Sequence, residues 1–290
     1  MGKYHSVIIG QGKPLIFLPA LGFSGNEGLN IAESLAGSYE CHLLDLPGLG
    51  KSDGLKGRVS MPEIASWVKQ YSDQNKLEDV TLIGHSMGGG IAMCFASVYP
   101  EYVNRIVLLD QGHLKLPRFP TSEFGLFGYV IPVISLMERL LGDKLIKRIK
   151  KFFISDDDNN SSNANTNEKQ LREFCERFKL EESDYINKAL MEEVPFTGEG
   201  LRLMFGYYRL NLPKILQKIS HPCLLIYASF KDIDEERARM TDNEVNKINP
   251  TSNLKLFKID SHHYVHWADE KCLDEIREFL GYPQNEILEG

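Results

Sequence analysis

The chain lacks closely paired cysteines, clustered positive charge and long apolar runs, and each absence excludes a class of protein. Its five cysteines among 290 residues are scattered, odd in number and without CxxC spacing, which favours reduced thiols over a disulfide framework. The formal net charge is −7 and there is no long basic run, so we expect no nucleic acid or anionic membrane partner. No apolar run approaches a membrane-spanning length, and the first residues lack the apolar core of a signal peptide. We therefore expect a cytoplasmic protein without a transmembrane segment.

The chain does contain alternating strand-like and helix-like segments within an ordinary globular composition. Hydrophobic residues make up 42% of it and charged residues 25%, which is enough apolar material for a large core. Short apolar runs, several of them apolar throughout, resemble strands buried on both faces of a parallel sheet. These runs are "YHSVIIG", "PLIFLPA", "CHLLDLP", "DVTLIGH", "RIVLLDQ", "PCLLIYAS" and "LKLFKIDS". The alternation predicts a three-layer α/β fold, with helices on both faces of a mostly parallel, twisted sheet.

The alternation breaks between about Gln111 and Pro213, where helical patterns and aromatic residues replace strands. We expect residues 1–112 and 214–290 to form the α/β core and residues 113–213 to form an inserted helical cap. A polar, low-complexity tract at 155–168 predicts a mobile loop within that insertion. The aromatic residues of the insertion are Phe119, Phe124, Phe127, Tyr129, Phe205, Tyr207 and Tyr208.

One serine stands between glycines at the end of a predicted strand. "VTLIG" is followed by the turn Gly84-His85-Ser86-Met87-Gly88 and then by a predicted helix that ends before Pro100. A sharp turn from strand to helix strains the serine backbone and leaves no room for side chains two positions away. The glycines thus allow the backbone to crowd around an exposed hydroxyl, and the following helix directs its N-terminus toward developing negative charge. Ser86 is the candidate nucleophile.

With these motifs in this order, the sequence resembles the α/β-hydrolase family. The resemblance rests on "GHSMGG" at 84–89, "DLPGLGKSD" at 45–53, an Asp-bearing loop after "CLLIYAS", and "DSHHYVHWADE" at 260–270. It implies an α/β-hydrolase fold in which the insertion covers the nucleophile as a lid. It also implies a catalytic triad in the chain order serine, acid, histidine.

The general base is expected in the histidine cluster near the C-terminus. Matched to the family pattern, Ser261-His262-His263-Tyr264 places the base at His263, with His262 as the second choice. His266 is expected to pack against or cap the last helix. Because His262 and His266 are four residues apart, a metal site is an alternative, but no further ligand group completes it, so we expect no metal.

Three aspartates are candidates for the acid that orients the base. Asp232 follows the strand "CLLIYAS" at about the family distance, and Asp234 lies two residues further in a loop one residue longer than usual. Asp110 ends the earlier strand "RIVLLD", where some family members carry the acid. We favour Asp232, then Asp234, then Asp110.

The oxyanion hole is the place where the chain departs from the family pattern. Family members often have His-Gly after the strand that corresponds to "LIFL", whereas Pro19 and Ala20 stand there in this chain. Because backbone N–H groups form the hole, the resemblance still implies Leu21 and Met87 as its donors.

The expected function is that of a carboxylesterase-type serine hydrolase acting on small to medium esters with an apolar acyl or alcohol group, without a cofactor. Two alternatives remain: a carbon–carbon bond hydrolase of a vinylogous diketone with the same triad, and a ligand-binding sensor with slow turnover. Epoxide hydrolases and haloalkane dehalogenases are disfavoured, because they require aspartate at the position of Ser86. The oligomeric state is left open.

Overall fold

A single sheet of seven strands organises the part of the chain that the structure describes. This computed structural model describes residues 2–118, 125–142, 145, 148, 164–195, 197–248 and 253–282. The strands are β1 (Ser6–Gly10), β2 (Lys13–Leu18), β3 (Tyr39–Leu44), β4 (Val80–His85), β5 (Val103–Leu109), β6 (Cys223–Ala228) and β7 (Leu254–Ile259). Their order is β1-β3-β2-β4-β5-β6-β7, and only the β1–β3 pair among them is antiparallel. All seven predicted strands are confirmed, and so is the mostly parallel sheet.

The strands are apolar because helices cover both faces of the sheet. All six residues of β4 are buried. Along β2 the side chains alternate between two core clusters: Ile16 and Leu18 belong to one cluster, and Leu15 and Phe17 belong to the other. A strand that is buried on both faces has no solvent-facing position for polar residues, which explains its continuous apolar run.

Eleven helices are described along the chain. They are α1 (Leu29–Leu35), α2 (Met61–Asn75), α3 (Met87–Val98), α4 (Ile131–Leu141), α5 (Ala164–Phe178), α6 (Asp184–Met191), α7 (Gly198–Tyr207), α8 (Leu212–Leu216), α9 (Glu235–Val245), α10 (Val265–Ala268) and α11 (Lys271–Leu280). Short 3-10 turns lie at Gly25–Gly28, Pro100–Tyr102 and Gly125–Tyr129. None of these helices is both long enough and apolar enough to cross a membrane.

The described residues between β5 and β6 are helical or irregular, as expected of an insertion, and contribute no strand. Within this region Thr197 contacts the loop after β3, where its Oγ1 donates a hydrogen bond to the Gly48 carbonyl at 2.7 Å. The predicted loop at 155–168 is wrong in its last part, because α5 begins at Ala164, while residues 155–163 lie outside the described residues. The division into core and cap at 113 and 213 stays a prediction.

Candidate active site

Ser86 lies in a strained turn between β4 and α3, at the carboxyl end of the sheet. Its backbone has φ 50° and ψ −118°, a conformation that is rare for a residue with a side chain. A Cβ on Gly84 would lie 2.6 Å from the Gly88 backbone, and a Cβ on Gly88 would overlap the Leu18 carbonyl. These contacts account for the glycines on either side of the serine. The side chain of Ser86 remains partly exposed among neighbours that are buried.

An aspartate and a histidine pair at the same edge of the sheet. His263, in the loop after β7, has its Nδ1 atom 2.5 Å from Oδ2 of Asp110, which directly follows β5. The other carboxylate oxygen of Asp110 accepts a hydrogen bond from the Ala228 N–H at 3.0 Å. The Asp110 N–H in turn donates to the carbonyl of Ile226 at 2.7 Å. The carboxylate is thus fixed by the neighbouring strand β6 and directed at the histidine.

The structure does not bring Asp232 to His263, so the preference for Asp232 as the acid is corrected. The Asp232 side chain is exposed, and its backbone carbonyl accepts a hydrogen bond from Lys179 Nζ. Asp234 caps α9, where its carboxylate accepts the Arg237 N–H at 2.9 Å. Asp110, the third choice from the sequence, occupies the position beside the histidine.

The two expected oxyanion donors, Leu21 and Met87, lie on segments that a backbone hydrogen bond joins. Met87 begins α3, where the first N–H groups of a helix have no partner within it. The Leu21 N–H has no hydrogen-bond partner among the described residues, whereas the preceding amide, of Ala20, donates to Glu27 Oε2 at 2.6 Å. The Gly88 N–H donates to the Pro19 carbonyl at 3.0 Å and joins the two segments. Leu21 and Met87 remain the candidate donors.

A sequence profile of the alpha/beta hydrolase fold matches residues 13–178, which is more than half of the chain. The chain belongs to this family. The family resemblance and the mostly parallel α/β fold expected from the sequence are thereby confirmed.

Two proteins similar to this chain are named as hydrolases of 2-hydroxy-6-oxo compounds. One is the 2-hydroxy-6-oxo-6-phenylhexa-2,4-dienoate hydrolase of Burkholderia cepacia, 35% identical over 40% of this chain and 43% of the relative. The other is the 2-hydroxy-6-oxononadienedioate/2-hydroxy-6-oxononatrienedioate hydrolase of Klebsiella pneumoniae, 33% identical over 51% of each chain. The chain thus matches only about half the length of these relatives. A thermophilic esterase from Thermogutta terrifontis has a similar fold, with TM-score 0.63 and 18% identity over 97% of this chain and 93% of that one.

Within this hydrolase fold, the environment of the acid–base pair favours a neutral histidine beside a charged aspartate. Burial opposes ionisation of Asp110, but the hydrogen bond from His263 and the nearby imidazoles outweigh it, so the pKa of Asp110 lies below its ordinary value. Burial also lowers the pKa of His263, and the charge of His85 adds to that effect, although the bond to Asp110 opposes it. Neutral His263 can accept a proton at Nε2 while its Nδ1–H donates to Asp110. Among the described residues, Ser86 Oγ makes no hydrogen bond to His263; such bonds are often long before substrate binds.

The other two histidines of the cluster differ in their burial: His262 is partly buried and His266 is buried. His262 Nδ1 accepts the His263 N–H at 2.7 Å, and its ring packs against Phe178 and Phe230. Burial lowers the pKa of His262 to about 4. His266 lies in α10 at 2% exposure, packed against the rings of His85 and Trp267. Neither interacts with Asp110 as His263 does.

Helix α7 contacts the nucleophile turn directly. The Tyr207 hydroxyl lies 3.5 Å from the Ser86 carbonyl and accepts a hydrogen bond from Gln111 Nε2 at 2.9 Å. Phe205 is also buried, Tyr208 is partly buried and Tyr129 is exposed. Phe119, Phe124 and the Phe127 side chain lie outside the described residues.

Sequence reasoning missed Glu27, which is buried beside the nucleophile turn. Its carboxylate lies within 4.8 Å of ring nitrogens of His85 and His266, and three such groups could together bind a metal ion. However, Glu27 Oε1 and His85 Nδ1 are 2.6 Å apart. Two ligands of one tetrahedral zinc stand roughly 3.3 Å apart, given bonds of about 2.0 Å, so this spacing is that of a hydrogen bond. The grouping does not include His262, the residue that suggested a metal pair with His266.

Proposed function

We propose that the chain is a serine hydrolase that cleaves carboxylic esters through an acyl-enzyme. Ser86 is the nucleophile, His263 the general base and Asp110 the acid that orients the base. The observation that carries the proposal is the 2.5 Å contact between His263 and Asp110 at the sheet edge where Ser86 occupies its strained turn. A serine hydroxyl is a weak nucleophile at neutral pH and requires such a base.

In the first step, Ser86 Oγ bonds to the ester carbonyl carbon while its proton passes to His263 Nε2. The carbonyl π electrons move to oxygen, and the amides of Leu21 and Met87 stabilise that oxyanion. Collapse of the tetrahedral species breaks the bond to the alcohol, which leaves with the proton from His263. Water, deprotonated by His263, then attacks the carbonyl carbon of the acyl-enzyme. The bond to Ser86 Oγ breaks, Oγ takes the proton back from His263, and the acid product is released. Asp110 stays ionised and stabilises the imidazolium in both halves.

We propose that the substrate group is apolar, because aromatic side chains pack beside the His263 loop. Phe23, Phe174, Tyr264 and Trp267 form one cluster of ring contacts next to the histidine loop. We propose that this cluster flanks the substrate site, where it would favour a small to medium acyl or alcohol group that is apolar. We propose that α5 to α8 act as the lid over this region. The five buried free thiols support a reducing compartment such as the cytoplasm.

Carbon–carbon bond hydrolysis is the second candidate, and the names of the two relatives favour it. The same triad would serve this reaction, because the bond that breaks again lies next to a carbonyl group. The ester reaction is preferred because its leaving alcohol requires only the proton that His263 already carries.

A substrate panel distinguishes these functions. The purified chain and Ser86→Ala are assayed with p-nitrophenyl esters of graded acyl length and with a 2-hydroxy-6-oxodienoate. Multiple turnovers of an ester that Ser86→Ala does not catalyse would support the proposal. Turnover of the dienoate alone would favour the second candidate. Release of a single equivalent of p-nitrophenol would instead indicate a ligand-binding sensor.

A further inference from the structure

Directly behind the nucleophile lies a buried pair that the triad does not include. His85 is the last residue of β4, one position before Ser86, and Glu27 lies in the 3-10 turn Gly25–Gly28. Their side chains are 2.6 Å apart, and both are 0% exposed. Such pairs are costly to desolvate and add little stability over apolar residues of similar volume. Their presence at this position therefore calls for another explanation.

The pair joins three loops of the site by hydrogen bonds. Glu27 Oε2 accepts the N–H of Ala20, the residue before the candidate oxyanion donor Leu21, at 2.6 Å. His85 Nε2 lies 3.0 Å from the backbone carbonyl of His263. One continuous series of bonds thus runs from the oxyanion loop, through Glu27 and His85, to the loop that carries the general base.

The groups that His85 contacts determine which of its ring nitrogens carry a hydrogen. His85 faces a carboxylate at Nδ1 and a carbonyl at Nε2, and both of these groups are acceptors. Both bonds form when His85 carries a hydrogen on each nitrogen and donates one to Glu27 and one to the carbonyl. Burial alone would lower the pKa of His85, but the Glu27 carboxylate outweighs it and raises that pKa above its ordinary value.

We infer that Glu27 and His85 are positioning residues that hold the Leu21 amide and the His263 loop in the geometry that Ser86 requires. This inference rests on the proposed hydrolase function. Neither side chain reaches the reacting atoms, because both are enclosed behind the turn. Loss of the pair should therefore impair the chemical step and leave substrate binding nearly unchanged.

Glu27→Leu and Glu27→Gln together test this role. Glu27→Leu removes both bonds of the carboxylate, so we expect kcat to fall about a hundredfold with KM within about twofold. Glu27→Gln keeps an oxygen for the Ala20 N–H, and its amide can donate to neutral His85, whose Nε2–H still reaches His263. We expect this variant to recover kcat to within about tenfold of the wild type.

His42 provides a matched control. It is a second buried histidine, at 2% exposure, bonded to Tyr71 at 2.7 Å and to Glu40 at 3.0 Å on β3. His42→Leu should lower the melting temperature without changing kcat. If Glu27→Leu keeps the wild-type kcat, or if Glu27→Gln is as impaired as Glu27→Leu, the positioning role is overturned.

The rate at which a fluorophosphonate labels Ser86 separates this inference from the proposed function. This reaction needs the nucleophile, the base and the oxyanion hole, but not the natural substrate. Slower labelling of Glu27→Leu than of His42→Leu supports the positioning role even if no ester is turned over. Equal labelling rates overturn the role alone, whereas a wild type that is not labelled overturns both the role and the proposed function.

Discussion

Replacement of Asp110 by asparagine should disable the enzyme while leaving its structure nearly intact. Asparagine has the same shape, and its oxygen can still accept the Ala228 N–H that Asp110 accepts at 3.0 Å. Its NH2 group would then face His263 Nδ1, where the carboxylate now lies at 2.5 Å. That arrangement places the imidazole hydrogen on Nε2, so the ring can no longer accept the proton of Ser86.

The size of the effect follows from the loss of the correct tautomer and of imidazolium stabilisation. A change of this kind in a serine triad lowers kcat by about 10⁴. That factor corresponds to about 5.4 kcal/mol of transition-state stabilisation, at about 1.36 kcal/mol for each tenfold change. The exposed side chain of Asp232 lies outside this pair, so Asp232→Asn should change kcat by less than about twofold.

Steady-state hydrolysis of the best p-nitrophenyl ester measures both variants, and circular dichroism checks that each one is folded. A crippled Asp232→Asn with an active Asp110→Asn would refute the assignment of Asp110. Equal and small losses in both variants would show that neither Asp110 nor Asp232 orients the base.

Three further predictions concern the oxyanion loop, the base and a buried histidine. Leu21→Pro removes the proposed donor amide and should lower kcat about a hundredfold relative to Leu21→Ala; equal activities in folded variants would place the donor elsewhere. Because the pKa of His263 is lowered by burial, the acid limb of the kcat/KM profile should lie below about pH 6.5, and a midpoint above that value would contradict this. His266 is neutral in the fold, where burial holds its pKa well below 6.5, so the native state binds fewer protons than the unfolded chain. Its contribution to stability falls by about 1.4 kcal/mol from about pH 7.5 to pH 5.5, and urea unfolding of His266→Leu should lack this loss.

The sheet could be predicted from the sequence because each strand carries its own local signal. A strand buried on both faces is mostly apolar, and the run "VTLIG" before Ser86 and the run "CLLIYA" at β6 both follow this pattern, with Thr81 as the exception. The helix boundaries of the cap are harder to predict, because the hydrophobic pattern of a helix does not show where it begins within a polar tract. The helix that starts at Ala164 within the predicted loop shows this limit.

The acid could not be ranked from the sequence because its role depends on the path of two loops in space. Asp110 and Asp232 both follow buried strands of the sheet, and β5 and β6 are neighbours. After β6 the backbone turns at Phe230 and Asp232, both with positive φ, and the Asp232 side chain faces solvent. After β5 the N–H of Ala228 and the carbonyl of Ile226, both on β6, hold Asp110 in place. Glu27 was missed for a similar reason, since its partner His85 is 58 residues away in the sequence.

Covalent labelling of Ser86 is the most direct test of the central claim. The wild type is treated with a fluorophosphonate at neutral pH, and the modified peptide is mapped by mass spectrometry. A single adduct on Ser86 is predicted, with no adduct in Ser86→Ala, strongly reduced labelling in His263→Ala and nearly normal labelling in His262→Ala. An adduct on another residue, or equal labelling of wild type and Ser86→Ala, would contradict the account.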